Sequence, residues 1–178
     1  MKIINTPLAD CVLIKSQRHC DNRGFFQELF RENLLAHWPE AKVLVQDNWS
    51  RSVYGVLRGM HFQRNQSQAK LLTVLRGKIF DVVVDIRKDS ATFGQWHGEV
   101  LSEDEPTQLW IPQGFAHGFL VMSQQADVLY KTSTYYNRED EVSFAWNDAQ
   151  LAIKWPFEPT FLSDKDNNAP LFSTTVQC

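Results

Sequence analysis

The feature that most constrains this chain is a series of short strand-like runs separated by tight turns. Residues 41–49, 70–75, 78–86, 95–101, 108–111, 115–122 and 127–135 are rich in Val, Leu, Ile, Phe and Tyr. Arg76-Gly77, Lys88-Asp89-Ser90, Pro112-Gln113-Gly114 and Ser123-Gln124-Gln125 punctuate them. Crossover helices of the kind a parallel sheet requires are missing, so the pattern predicts an antiparallel sandwich or barrel such as a jelly roll. One helix is expected over residues 27–38. There Phe30, Leu34 and Trp38 fall on one stripe, and Pro39 would stop the helix.

Within residues 78–86 the alternation separates two faces. Phe80, Val82, Val84 and Ile86 form a wholly apolar one that requires a core. Ile79, Asp81, Val83 and Asp85 form the other, with two carboxylates among aliphatics. Either a solvent-facing sheet or a barrel lumen holding a polar ligand would produce this second face. Val128, Tyr130, Thr132 and Thr134 share a similarly mixed face.

At 178 residues the chain suits one domain over 1–178. Its 18 basic and 21 acidic residues give a net charge of −3. That balance lacks the positive field of a nonspecific nucleic-acid binder, yet it allows a few cations gathered in one cleft to hold a small anion. No apolar run reaches the ~18 residues of a membrane span. The first residues, MKIINTPLADCVLI, are interrupted by Asn5, Pro7 and Asp10 and do not resemble a signal peptide. Cys11, Cys20 and Cys178 are odd in number and lack CxxC spacing, which fits packing or surface thiols in a reducing, cytoplasmic compartment.

Two segments could carry chemistry. RGMHFQ holds Arg58 and His61, and a buried Arg must be paired or bound to an anion. IPQGFAHGF places His117 three residues after Gly114, the P-x-G-x-x-H pattern of the second cupin motif. The first cupin motif of metal-binding members brings an HxH pair and a Glu. Here only His61 stands in that place, so a mononuclear metal site lacks ligands and no metal is expected. His19, His37 and His97 are expected at the surface or in packing. Two His, a Tyr and a Lys in a lumen suit proton transfer: His takes a proton near neutrality, Tyr returns one, and Lys steadies an enolate oxygen.

The chain resembles the dTDP-4-dehydrorhamnose 3,5-epimerase family almost end to end. The match runs through DNRGFFQELF, VQDNWS, GVLRGMHFQ, QAKLLTVLRGKIFDVVVDIRKDSATFG, QLWIPQGFAHGF, VLYKTSTYY, IKWP and LSDKD. This resemblance implies an all-β, cupin-type jelly-roll barrel with a few short helices, working without metal or redox cofactor as a homodimer. It also implies epimerisation of dTDP-4-dehydro-6-deoxy-D-glucose at C3 and C5. By the same resemblance His61 is the general base, Asp166 its carboxylate partner, Tyr130 the opposed proton donor and Lys70 the group nearest the 4-keto oxygen. His117 and Arg58 would contact the substrate, with Asp81 supporting His117.

For the nucleotide, the resemblance implies Gln46, Asp47 and Asn48 as a binding loop and Tyr136 as the ring stacked on thymine. Glu141 and Lys165 would be further contacts, and Arg23 and Glu28 would reach into the neighbouring subunit's site. Arg23, Arg58, Lys70 and Lys165 are thus expected to converge on one diphosphate-sugar. Two departures stand out. Met60 replaces the family's Leu, a volume-conserving change, and Ala149 stands where a WDDP-like turn has Pro. Competing readings are a mono-epimerase at C3 or C5, a keto-isomerase on the same sugar nucleotide, or a non-catalytic binding module.

Overall fold

The computed structural model describes residues 1–38 and 41–176. Pro39, the expected helix stop, and Cys178 lie outside the described residues. Six strands form one antiparallel sheet in the order β1 (Lys2–Asn5), β2 (Val12–Lys15), β10 (Thr107–Ile111), β7 (Lys70–Arg76), β12 (Gln125–Thr132), β5 (Gln46–Val53). Five form a second: β13 (Glu141–Ser143), β6 (Leu57–Gln63), β11 (Phe115–Val121), β8 (Lys78–Asp85), β9 (Trp96–Ser102). A separate hairpin pairs β3 (Arg18–Asp21) with β4 (Gly24–Gln27). The expected jelly-roll arrangement is therefore present, with two short helices, α1 (Asp164–Asn167) and α2 (Phe172–Val176), near the C-terminus.

Three apolar clusters explain why both faces of both sheets are greasy. Between the sheets, Leu72, Val74, Leu109, Ile111 and Val128 meet Ile79, Val83, Leu101, Phe115 and Phe119. Outside the five-stranded sheet, Met60, Phe62, Val82, Val84 and Ala116 are roofed by Phe144, Leu151, Phe172 and Val176. Outside the six-stranded sheet, Val12, Ile14, Leu71 and Trp110 are covered by Leu34, Leu35 and Trp38. Trp38 stacks on Trp110 with ring centroids 4.3 Å apart, an arrangement worth about 0.5–1.5 kcal/mol beyond its area.

These clusters resolve the open reading of residues 78–86. The mixed face of Ile79, Asp81 and Val83 turns into the barrel rather than to solvent, and the Phe80, Val82, Val84 face lies under the C-terminal roof. Asp85, on the mixed face, is structural. Its buried carboxylate accepts from Arg87, Ser90 and Thr92 at 2.6–3.0 Å.

Several element boundaries differ from expectation. The helix expected over 27–38 is a 3₁₀ helix, Glu32–His37. Gln27 is committed to the hairpin, pairing with Arg18 and donating from Nε2 to Ser16 Oγ at 2.8 Å, so the first helical turn cannot form. The apolar stripe still buries as predicted, because tertiary packing outweighs the weak helical preference of so short a segment. The strand expected over 41–49 begins at Gln46 and runs on to Val53, while that over 127–135 ends at Thr132. The strands β1, β2, β3, β4, β6 and β13 were not expected; β1 and β13 are edge strands with little apolar alternation.

One irregularity positions the chemistry. Between β6 and β11, His61 pairs with His117 but Arg58 pairs with Phe119, so three steps on β6 oppose two on β11. This bulge adds one residue to β6 and turns Arg58 and His61 to the same side, although an odd spacing in a regular strand would oppose them. Gly59, at φ 141°, permits it. A Cβ there would lie 2.5 Å from Gly118 Cα, and one on Gly118 would lie 2.7 Å from Met60 Sδ, so the two backbones touch where only glycine fits.

Candidate active site

A cleft of about 540 Å³ opens at one end of the barrel, within the ordinary range for a small-molecule site, roughly 300–1,000 Å³. Its two walls are the two sheets. The five-stranded sheet supplies Arg58, His61 and His117, and the six-stranded sheet supplies Asn48, Lys70 and Tyr130. The rim carries Tyr136, Glu141, Ser163, Lys165 and Asp166.

His61 Nε2 lies 2.5 Å from Asp166 Oδ1. Asp166 reaches it from the short helix α1, whose first turn is capped by Ser163: Asp166 N–H donates to Ser163 Oγ at 3.1 Å. The segment before α1 is tied to β6, with Leu57 N–H donating to Phe161 C=O at 3.0 Å. Asp166 is only 4% exposed. Burial pushes its carboxyl upward, but the hydrogen bond and charge of His61, with help from Ser163 and Lys165, outweigh burial and hold it below the usual range. Beside this pair, His117 Nε2 lies 2.8 Å from Asp81 Oδ2, and Asp81 is fully buried behind it.

Facing the histidines, Lys70 is 8% exposed. Burial pushes its ammonium down to about 8, with Asp81 and Glu141 opposing the shift. Tyr130 is raised above its ordinary value by burial, while the positive charge of Arg58 pulls it back. Arg58 Nε donates to Ser52 Oγ at 3.0 Å. At the rim, Tyr136 Oη donates to Glu141 Oε2 at 2.9 Å, and Lys165 Nζ lies 2.6 Å from the same oxygen. Burial raises Tyr136, and the Glu141 hydrogen bond adds to it. Glu141 is lowered despite burial because Lys165 and Tyr136 donate to it.

Ten of the expected residues therefore line one cleft: Asn48, Arg58, His61, Lys70, His117, Tyr130, Tyr136, Glu141, Lys165 and Asp166. Asp81 stands behind His117 and does not line it. Gln46 and Asp47 are outside the lining. Gln46 Oε1 accepts from Tyr136 N–H at 2.9 Å, and Asp47 pairs with Lys131 at 2.8 Å. Arg23 and Glu28 do not reach the cleft of their own chain. Arg23 pairs with Asp21 at 2.6 Å on the hairpin and Glu28 with Arg31 at 2.5 Å, so the expected four-cation convergence is three within one chain. Gln63, Gln68 and Ser163 were missed. Gln63 lies two residues beyond His61 on the same strand, a period-2 signal, and Ser163 stands three before Asp166, the spacing of a helix cap. Among the described residues, no group of three or more His, Cys, Asp or Glu is arranged to hold a metal ion.

The family model described as dTDP-4-dehydrorhamnose 3,5-epimerase matches residues 5–174. The chain belongs to the dTDP-4-dehydrorhamnose 3,5-epimerase family. The epimerase of that name from Salmonella typhimurium is 47% identical over 179 residues, covering 99% of this chain and 98% of its own. One from Neisseria gonorrhoeae is 47% identical over 167 residues, and the match spans 93% of this chain but only 51% of that longer protein. A crystal structure of the dTDP-6-deoxy-D-glucose-3,5-epimerase from Legionella pneumophila, in complex with dTDP-4-keto-L-rhamnose, superposes with a TM-score of 0.91 at 49% identity. It covers 96% of this chain and 92% of its own. Membership of this epimerase family agrees with the cupin-type jelly roll described above.

Proposed function

We propose that the chain epimerises dTDP-4-dehydro-6-deoxy-D-glucose at C3 and C5, giving dTDP-4-dehydro-L-rhamnose. The observation that carries this reading is the His61–Asp166 pair on one wall of a cleft whose opposite wall bears Tyr130. The 4-keto group acidifies the C–H bonds on both its neighbours, so each carbon in turn can lose a proton to its own enolate, with the charge in either case on the 4-oxygen. Ionised Asp166 accepts from His61 Nε2–H and leaves the lone pair of Nδ1 to take that proton. The buried Lys70 ammonium faces the charge that develops on the 4-oxygen. Tyr130 Oη then delivers a proton from the other wall, which inverts the centre. Once His61 has released its proton to water and Tyr130 has regained one from it, the same steps at the second carbon complete the reaction. The Legionella pneumophila relative, solved with dTDP-4-keto-L-rhamnose, supports the doubly inverted product.

The test is the reaction run in deuterium oxide, coupled to a reductase that traps the product, with NMR of the sugar. Deuterium at both C3 and C5 is expected, and label at one of them alone would overturn double epimerisation.

A requirement for Lys70 as ammonium makes pH informative. In the free enzyme, kcat/KM should fall as pH rises through about 8, and a Lys70→Met variant should lack that limb. The stability sign is opposite. Between about 8 and the ordinary 10.5 the unfolded chain binds the extra proton, so thermal stability should rise with pH across that window. A kcat/KM profile flat through pH 8 in the wild type would remove Lys70 from this role.

The nucleotide half follows from the remaining residues. Tyr136 offers its ring to thymine, while Arg58 and Lys165 bring positive charge to the diphosphate; Asn48, Glu141 and His117 add polar contacts, and Gln46 and Asp47, in strand β5 and not in the expected loop, brace the site from behind. Arg23 and Glu28 complete the site of a second copy in a homodimer. What supports this is their position on the β3–β4 hairpin beside Phe25 and Phe26, which are 65% and 72% exposed. Arg23→Ala and His61→Ala proteins, each inactive, should regain roughly a quarter of wild-type activity when mixed and reassorted. The mixed dimer holds one site with both native residues. No recovery in a demonstrated mixed dimer would mean Arg23 acts within its own chain. The free thiols of Cys11 and Cys20 fit a cytoplasmic enzyme.

A further inference from the structure

We propose that Gln63 is a positioning residue that fixes the ring of Tyr136 as the platform for the nucleobase. This rests on the reading of Tyr136 as the thymine-stacking residue.

Residues 135–137 belong to no strand, so no sheet ladder orders the backbone that carries the ring. Two glutamine side chains do so instead. Gln63, the last residue of β6 and 5% exposed, uses all of its amide. Its Nε2 donates to Gln66 C=O at 2.9 Å and to Tyr135 C=O at 3.3 Å, and its Oε1 accepts from Asn137 N–H at 2.7 Å. Two of these three bonds grip the peptide groups on either side of Tyr136. The third grip is Gln46 Oε1, accepting from Tyr136 N–H itself. With Tyr136 Oη bound to Glu141, the residue is held at its backbone and at the tip of its ring.

The arrangement has a physical purpose. A stacking ring that is free to wander must be ordered when the base arrives, and that entropy is subtracted from affinity. A buried amide is a poor filler for a merely packed position, because every donor and acceptor must be satisfied. Gln63 also shares a strand with His61, two residues away, so the side chain that braces the platform for the base and the proton acceptor for the sugar are carried on one strand.

The test measures dTDP affinity by calorimetry and steady-state kinetics with the sugar nucleotide. The proteins are the wild type, Gln63→Ala, Gln63→Glu, Tyr136→Ala and the Gln63→Ala/Tyr136→Ala double variant. Loss of a base–aromatic stack weakens binding roughly tenfold or more, so Gln63→Ala should weaken dTDP and raise KM roughly tenfold while kcat at saturation stays within about twofold. In the Tyr136→Ala background the same change should cost less than about twofold, since the ring it positions is gone. Gln63→Glu preserves size and the acceptor for Asn137 but turns a carboxylate toward two carbonyls. It should show the same KM effect, and it carries the test if circular dichroism finds the alanine variant unfolded. Wild-type affinity in both Gln63 variants, multiplying effects in the double variant, or an equal fall in kcat would each overturn the inference. A wild-type chain that does not bind dTDP would overturn the function reading and this inference together. Weakening by Tyr136→Ala with silent Gln63 variants would overturn the inference alone.

Discussion

His61→Ala is expected to remove epimerisation almost completely while leaving the nucleotide bound. General-base catalysis contributes about 10²- to 10⁴-fold, and among the residues lining the cleft only His61 has a carboxylate as close as 2.5 Å to orient it. The alanine variant leaves Asp166 buried and without its imidazole, and an unpaired buried carboxylate destabilises a fold. His61→Gln therefore belongs beside it, because a glutamine amide reaches the position of Nε2 and can still donate to the carboxylate. Both should lose turnover by at least two orders of magnitude, and both should bind dTDP as the wild type does, because His61 is not among the nucleotide's contacts. Turnover within tenfold of wild type in the Gln variant would sink His61 as the base. Asp166→Asn should fall in the same direction, since an amide cannot fix the imidazole with Nδ1 free or steady its protonated form.

Tyr130→Phe should separate two events that His61→Ala stops together. The base and the enolate stabiliser are intact in this variant, so a C–H proton can still leave and return on the His61 side. Inverted product should drop by about 10²-fold or more, yet substrate recovered from deuterium oxide should carry label at C3 or C5 with its configuration unchanged. Exchange without inversion follows only if acid and base occupy opposite walls, as β12 and β6 do. Loss of exchange in step with loss of inversion would mean that Tyr130 serves the proton abstraction itself. The substitution removes one hydroxyl from a ring packed against the inter-sheet core, so little change in folding is expected.

How much of this was legible in the chain varies by residue. The alternation through Ile79, Asp81, Val83 and Asp85 identified the strand and its two faces, because side-chain period is a local property of extended backbone. The choice between lumen and solvent was not local. It was made by the sheet lying opposite and by the C-terminal roof over Val82 and Val84. Leu34 and Trp38 marked a buried stripe correctly, but the hairpin claimed Gln27 and shortened the helix. For Asp166, the local sequence LSDKD by itself reads as a solvated, charged turn. Its contact with His61 joins residues 105 apart in the chain and leaves no mark in either neighbourhood.

The sequence by itself determined an antiparallel sheet protein and, through its motif strings, the family and the identity of the reacting side chains. Those follow from residue type and spacing, which are carried along the chain. The tertiary structure decided which of those side chains share a cleft and from which side each acts. The β6 bulge put Arg58 and His61 on one face, packing of the two sheets put Tyr130 across from them, and the capped turn at Ser163 delivered Asp166. Each depends on contacts between distant segments, and such contacts exist only once the barrel has closed.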